Sequence, residues 1–323
     1  MAATRVGIIG SGWIAGVHLR ALSGFDDVKV VGIASRNPVS AGPLAESAGA
    51  RVYSDYRSML DGAELDAVFV CLAPYANCEP ALAVAERGIA LFAEKPLGVD
   101  EDWPARIAKA VHEKGIVSCV GYQWRYLEVV DRARELLEGR PPQLVVGSWL
   151  GDTPGPEWWH RKDQSGGQIV EQATHVFDLA RYLVGEMEPI AAVGHRVPRP
   201  AYPDSDILDV TETSVRFASG AIGSFSTTSL LASTHRVELD MISDGMALTL
   251  EVLNARLVVR LGKETTTLAP PSEFDTPYEL QNRAFIDAVQ GKPNRIRSSY
   301  DDALLTHHLT LSASRLANEA ASA

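Results

Sequence analysis

Short apolar runs and helical patterns alternate along the first part of the chain. RVGIIG, VKVVGIAS, AVFVCLA, IALFAE and IVSCVG read as strands, and between them lie AGVHLRALSG, PLAESAG, YRSMLDG, CEPALAVAERG and WPARIAKAVHEKG. Continuous apolar runs bounded by turns suit strands buried on both faces. Strands alternating with helices require right-handed crossovers and so a parallel sheet. The rhythm changes after residue 121. YLEVVDRARELLEG reads as a helix, a Pro-Pro break follows, and QLVVGSWLG reads as a strand. From about 187 to 270 the pattern is mostly strand, with turn signals such as ASGA and SDGM, which indicates an antiparallel sheet. Two helices, YELQNRAFIDAVQG and YDDALLTHHLTLSASRLANEA, close the chain. The expected architecture is α/β: a doubly wound parallel sheet over residues 1–121, then an α+β domain over 122–323.

Composition narrows the partners. Of 323 residues, 46% are hydrophobic and 22% charged, ordinary values for a globular chain. The net charge of −11 repels phosphate backbones and anionic membranes, so neither nucleic acid nor a membrane is an expected partner. No uncharged apolar run reaches spanning length. The opening MAATRVGIIG runs straight into a strand pattern without the marks of a signal peptide, and the expected location is the cytoplasm. Cys71, Cys78 and Cys119 have no metal-ligand spacing, and no metal is expected.

VGIIGSGWIAG sets Gly10, Gly12 and Ala15 in a G-x-G-x-x-A pattern directly after the first strand. Gly10 permits a tight turn and Gly12 lets a pyrophosphate approach the backbone. Helix N–H groups from Trp13 and Ile14 onward then favour the phosphates. The second strand ends in GIASRNP, with Ser35 and Arg36 where an acidic residue would read the 2′-hydroxyl of NAD. A guanidinium beside a hydroxyl suits a 2′-phosphate, so NADP is the preferred cofactor and NAD the alternative. Arg36 as a solvated loop residue is the plainer reading.

With the glycine turn, AEKP at the end of a strand and GGQIVEQATH in this order, the sequence resembles the Gfo/Idh/MocA oxidoreductases along essentially its whole length. The resemblance implies a Rossmann domain followed by a domain with a large, mostly antiparallel sheet, and a homodimer or homotetramer. It also implies that Lys95, in Glu94-Lys95-Pro96, lies near the nicotinamide and the substrate hydroxyl, with the Lys95–Pro96 peptide often cis. Physically, the carboxyl end of a parallel strand faces the ligand crevice. An ammonium there donates to the oxygen whose charge changes during hydride transfer. The competing reading of Glu94 and Lys95 is a surface salt bridge closing a loop.

SGGQIVEQATHVFDLARYLVG, read as one helix, places Glu171, Thr174, His175, Asp178, Arg181 and Tyr182 on one face. A solvated polar stripe is the commonest meaning of such a face, against which Gly166 and Gly167 allow close approach to a ligand and the imidazole of His175 suits proton exchange near neutrality. The resemblance makes His175 the catalytic histidine, with Glu171 standing where the family usually has an aspartate. A Glu171/His175 metal pair lacks further ligands. Ala73, Pro74 and Asn77 in LAPYANCEP are expected beside the cofactor, with Glu94 and with Gln123 of GYQWRY on the nicotinamide side. Tyr122, Arg125, Trp158, Trp159 and Lys162 are expected around a sugar or polyol, whose C–H patches suit aromatic faces; one tryptophan in the core is the alternative. The function expected is reversible oxidation of a secondary alcohol. The alternatives are a redox-assisted glycosidase and a nucleotide-binding sensor.

Overall fold

The computed structural model describes residues 2–271 and 273–322. The apolar runs become β1 (Thr4–Ile9), β2 (Val28–Ala34), β4 (Ala67–Val70), β5 (Ala90–Ala93) and β6 (Ser118–Val120). A further strand, β3 (Arg51–Tyr53), has three residues, two of them exposed, and so shows no apolar run in the sequence. The helices are α1 (Trp13–Ser23), α2 (Pro38–Ala48), α3 (Tyr56–Gly62), α4 (Pro74–Glu86) and α5 (Asp102–Lys114). All pairs are parallel, in the order β3-β2-β1-β4-β5-β6. The order reverses between β1 and β4, and the carboxyl ends of strands at such a switch point are where ligands bind.

The later part comprises α6 (Glu128–Leu137), β7 (Leu144–Asp152), α7 (Lys162–Ser165), α8 (Gln168–Glu171), α9 (Thr174–Val184) and β8 (Met187–His195). Then come β9 (Val210–Phe217), β10 (Ile222–Leu231), β11 (Arg236–Ser243), β12 (Met246–Glu251), β13 (Arg256–Leu261) and β14 (Glu264–Leu268). They form an eight-stranded sheet in the order β14-β13-β12-β11-β7-β10-β9-β8. Among the described residues only the β7–β10 pair of this sheet is parallel. Along β9 to β12 burial alternates residue by residue, so one face carries the core. Helix residues Val129, Phe177 and Leu309 complete that core.

The chain closes with α10 (Thr276–Val289) and α11 (Tyr300–Ser322). It divides into two compact units, and here the contiguous second domain expected over 122–323 is corrected. Glu273–Leu304 belongs with the stretch ending at Gln123, while Trp124 onward and the residues from Leu305 form the other unit. The reason is packing: Phe285 and Ile286 of α10 are fully buried in one cluster with Phe69, Phe92 and Ile8 of the first sheet. A run of sequence does not reveal which core its apolar stripe will fill.

Candidate functional site

In the first unit, β1 delivers the chain into Gly10 at φ +115°, where an added Cβ would meet the Cys71 carbonyl oxygen at 2.2 Å. No side chain fits, so the turn requires glycine. Gly12, the N-cap of α1, has nothing within 4 Å of a would-be Cβ, and no side chain caps the helix. Its first N–H groups, from Trp13 and Ile14 on, are therefore available to an anion approaching through open space. These residues fit a dinucleotide pyrophosphate. Trp13 is exposed beside Phe274, with ring centroids 6.0 Å apart. At the end of β2, Ser35 Oγ lies 2.7 Å from Ser11 Oγ, which lies 2.7 Å from Ser40 Oγ. Arg36 is exposed next to this hydroxyl chain.

The EKP segment follows β5. Glu94 is buried, with Oε1 2.8 Å from His18 Nε2, and its Oε2 accepts from the backbone N–H of Lys95 at 3.2 Å. A surface salt bridge is thus excluded for Glu94. Gly121 makes room for it, since a Cβ there would sit 2.4 Å from Glu94 Oε1. The Lys95–Pro96 peptide is cis. On its far side, Asn77 Nδ2–H donates to the Pro96 carbonyl at 2.9 Å, while Asn77 Oδ1 accepts from the Cys78 thiol. Asn77, expected beside the cofactor, thus has one internal bond at each end of its amide. Ala73 and Pro74 begin α4, as cap and first helical residue. Gln123 donates to the Tyr278 hydroxyl at 3.1 Å, and burial together with the charge of Glu94 pushes that hydroxyl well above its usual range. Tyr122, expected at the substrate, is 1% exposed within the core of this unit.

In the second unit, the expected single helix is broken. α8 ends at Glu171, and near Ala173 the backbone pattern slips from a five-residue bond (Ala173 to Gln168) to three-residue ones (His175 to Gln172, Val176 to Ala173). The regular spacing therefore starts at Thr174, after Glu171. Gly166 and Gly167 both have positive φ, and a Cβ on Gly166 would meet Val170 at 2.8 Å. Gly166 thus serves a left-handed turn and packing onto α8, while a Cβ on Gly167 would meet nothing nearer than Ile207 at 3.8 Å.

The polar face of α9 is not solvated. Thr174, His175, Asp178 and Arg181 are all buried. Asp178 accepts from Arg125 through Nε at 2.7 Å and Nη2 at 2.6 Å, and from Thr306 Oγ1 at 2.8 Å. Arg125 also lies over the Tyr182 ring. Arg125, expected at the substrate, is held instead in a two-pronged internal ion pair. His175 packs at a tilt against Trp124, centroids 4.5 Å apart, and the Trp149 ring lies 6.3 Å from His175 and 5.6 Å from Trp124. Gly147 lets α9 approach β7 this closely, because a Cβ there would be 2.9 Å from Val176. The sequence reading missed Trp124 and Trp149. Trp149 was detectable in principle, since β7 alternation puts it on the covered face with Val145 and Gly147. Trp159 is buried, its indole N–H donating to Glu171 Oε2 at 2.8 Å, which matches the alternative of a core tryptophan. Trp158 is half-buried and Lys162 exposed.

Residues 4–122 match the oxidoreductase family description "NAD-binding Rossmann fold", and residues 133–246 match the GFO/IDH/MocA C-terminal domain. The chain is similar to levoglucosan dehydrogenase of Pseudarthrobacter phenanthrenivorans, 29% identical over 262 residues, covering 69% of this chain and 67% of that protein. It is also similar to myo-inositol 2-dehydrogenase of Thermotoga maritima, 27% identical over 225 residues, covering 68% and 66%. The chain thus spans about two thirds of the length of these relatives. Among solved structures, levoglucosan dehydrogenase in complex with NADH and L-sorbose superposes with a TM-score of 0.89 at 23% identity, covering 99% of this chain and 98% of that one. At that identity the likeness is one of fold.

Proposed function

The chain belongs to the GFO/IDH/MocA oxidoreductase family, and from that premise we propose that it reversibly oxidises a secondary alcohol of a sugar, polyol or related small molecule, with NADP(H) preferred over NAD(H). The observation that carries the reading is the strand end at Lys95. The backbone is fixed by side chains on both sides of this lysine, in the same unit as the open glycine turn. The relatives named for levoglucosan and myo-inositol support the substrate class.

Gly10, Gly12, Trp13 and Ile14 would hold the pyrophosphate, and Ser35 with Arg36 would hold the 2′-phosphate. The nicotinamide, when bound, supplies the hydride acceptor or donor. The Lys95 ammonium donates to the substrate oxygen as its negative charge grows. An imidazole nitrogen of His175 takes the hydroxyl proton or returns it. Trp124 and Trp149 limit the motion of that ring, and Glu171, held by Trp159, adds a carboxylate before it in the chain. Trp158 and Lys162 remain proposed substrate contacts. A homodimer or homotetramer is the form proposed, on the family resemblance alone, and the cytoplasm is the location proposed.

Nucleotide fluorescence titration tests the cofactor assignment. Arg36→Ala is expected to weaken NADPH binding by about 10-fold or more, the loss of one charge-assisted bond, and to leave NADH within about twofold. A wild type that prefers NADH, or a variant that loses both equally, removes the 2′-phosphate role from Arg36 while leaving the dehydrogenase reading intact. The substrate class is tested by a panel of polyols and anhydrosugars that includes myo-inositol and levoglucosan.

A further inference from the structure

His18 lies in the middle of α1 and is fully buried. The glycine pattern gave no reason to notice it. Its ring packs against Phe92, Phe69 and Tyr278, with centroids 4.8, 5.2 and 6.0 Å away. One ring nitrogen, Nε2, is 2.8 Å from Glu94 Oε1, and the other, Nδ1, is 3.0 Å from Asn282 Oδ1 on α10. Helix α1, helix α10 and the end of β5 therefore meet at one imidazole.

We propose that His18 is a positioning residue for Lys95, acting through Glu94. A buried carboxylate is costly unless its oxygens are satisfied, and those of Glu94 are engaged in two fixed directions, toward His18 and toward the Lys95 N–H. Asn282 at the second nitrogen fixes the rotation of the ring, as outer partners of a functional histidine do. The Pro96 side is held separately by Asn77. His18 thus supplies the half of the frame that Asn77 does not. Its helix also begins at the open glycine turn, six residues earlier, so α1 ties the nucleotide cradle to the lysine. The functional weight of this arrangement rests on Lys95 being the group that meets the substrate oxygen.

The test uses the full-length protein with its lysines reductively 13C-methylated, the Lys95 signal being assigned by its loss in Lys95→Arg. In His18→Ala the Lys95 resonance is expected to move or broaden, while that of the exposed Lys109 stays put. NADPH affinity is expected to remain within about twofold, and kcat on a polyol turned over by the wild type to fall by up to about 10²-fold, the effect of a small misplacement. His18→Gln, which keeps a donor for Glu94, is expected to recover much of both. An unmoved Lys95 resonance in His18→Ala overturns the proposal, as does a loss of kcat that His18→Gln does not relieve. If His18→Ala does not fold, His18→Gln set against Asn282→Ala gives the same comparison. The functional reading fails separately: Lys95→Ala then keeps its turnover even though the resonance of Lys95 responds to His18.

Discussion

Lys95→Ala and His175→Ala are each expected to bind NADPH with near wild-type affinity and to lose turnover by about 10²–10⁴-fold, the range for removing a proton-handling or charge-stabilising group. Folding survives Lys95→Ala because the frame around it uses other atoms: Glu94 accepts from the backbone N–H, and Asn77 donates to the Pro96 carbonyl. His175 is a buried ring packed against Trp124, so His175→Ala leaves a space there and some loss of stability. His175→Asn is the control, keeping polar bulk without a titratable imidazole. The two losses are not expected to add if, as proposed, both groups serve one oxygen. Steady-state rates on a substrate found in the polyol panel, beside nucleotide titrations, check this. Wild-type turnover in both alanine variants would sink the dehydrogenase mechanism.

Arg125→Ala is expected to destabilise the protein by about 3–5 kcal/mol, because it leaves the Asp178 carboxylate buried with, among the described residues, only Thr306 still donating. For a unit of this size, that corresponds to a drop of roughly 6–20 °C in Tm. Both side chains are only 2% exposed, so solvent cannot take over the lost contacts. The companion variant is the double replacement Arg125→Met with Asp178→Leu. Replacing a buried pair by apolar groups of similar size is often nearly neutral, so the double variant is expected to be more stable than Arg125→Ala alone. Thermal melts of the three proteins decide the matter. If Arg125→Ala instead melts like the wild type and raises KM for the substrate, the residue belongs at the substrate after all, as its position in GYQWRY first indicated.

These two cases show what kind of information lies along the chain. Lys95 could be singled out because Glu-Lys-Pro closes a buried apolar run, and the end of a parallel strand is a place defined by local pattern and topology. Arg125 looked equally available, as a charged residue just past the last strand of the first sheet. Its partner is 53 residues away on α9, and nothing near Arg125 in the sequence points there. Asn77 likewise finds its acceptor, the Pro96 carbonyl, 19 residues on. Where the reading of α9 failed, periodicity gave the right elements but the wrong environment. A polar stripe has the same spacing whether it meets water or a set of matched partners.

The sequence by itself determined the alternating strands and helices of the first unit, the later antiparallel strands, the glycine turn and the exposed position of Arg36. Each follows from short-range rules: apolar period, turn chemistry, and the space that glycine leaves. Only the tertiary structure decided that α10 packs with the first sheet and that Trp124 and Trp149 cluster with His175. It alone set His18 between Glu94 and Asn282, residues 76 and 264 positions away along the chain. Apolar burial repeats with the secondary structure and so leaves a trace in the local pattern. A buried polar group is stable only when a specific partner reaches it, and that partner can come from any distance along the chain.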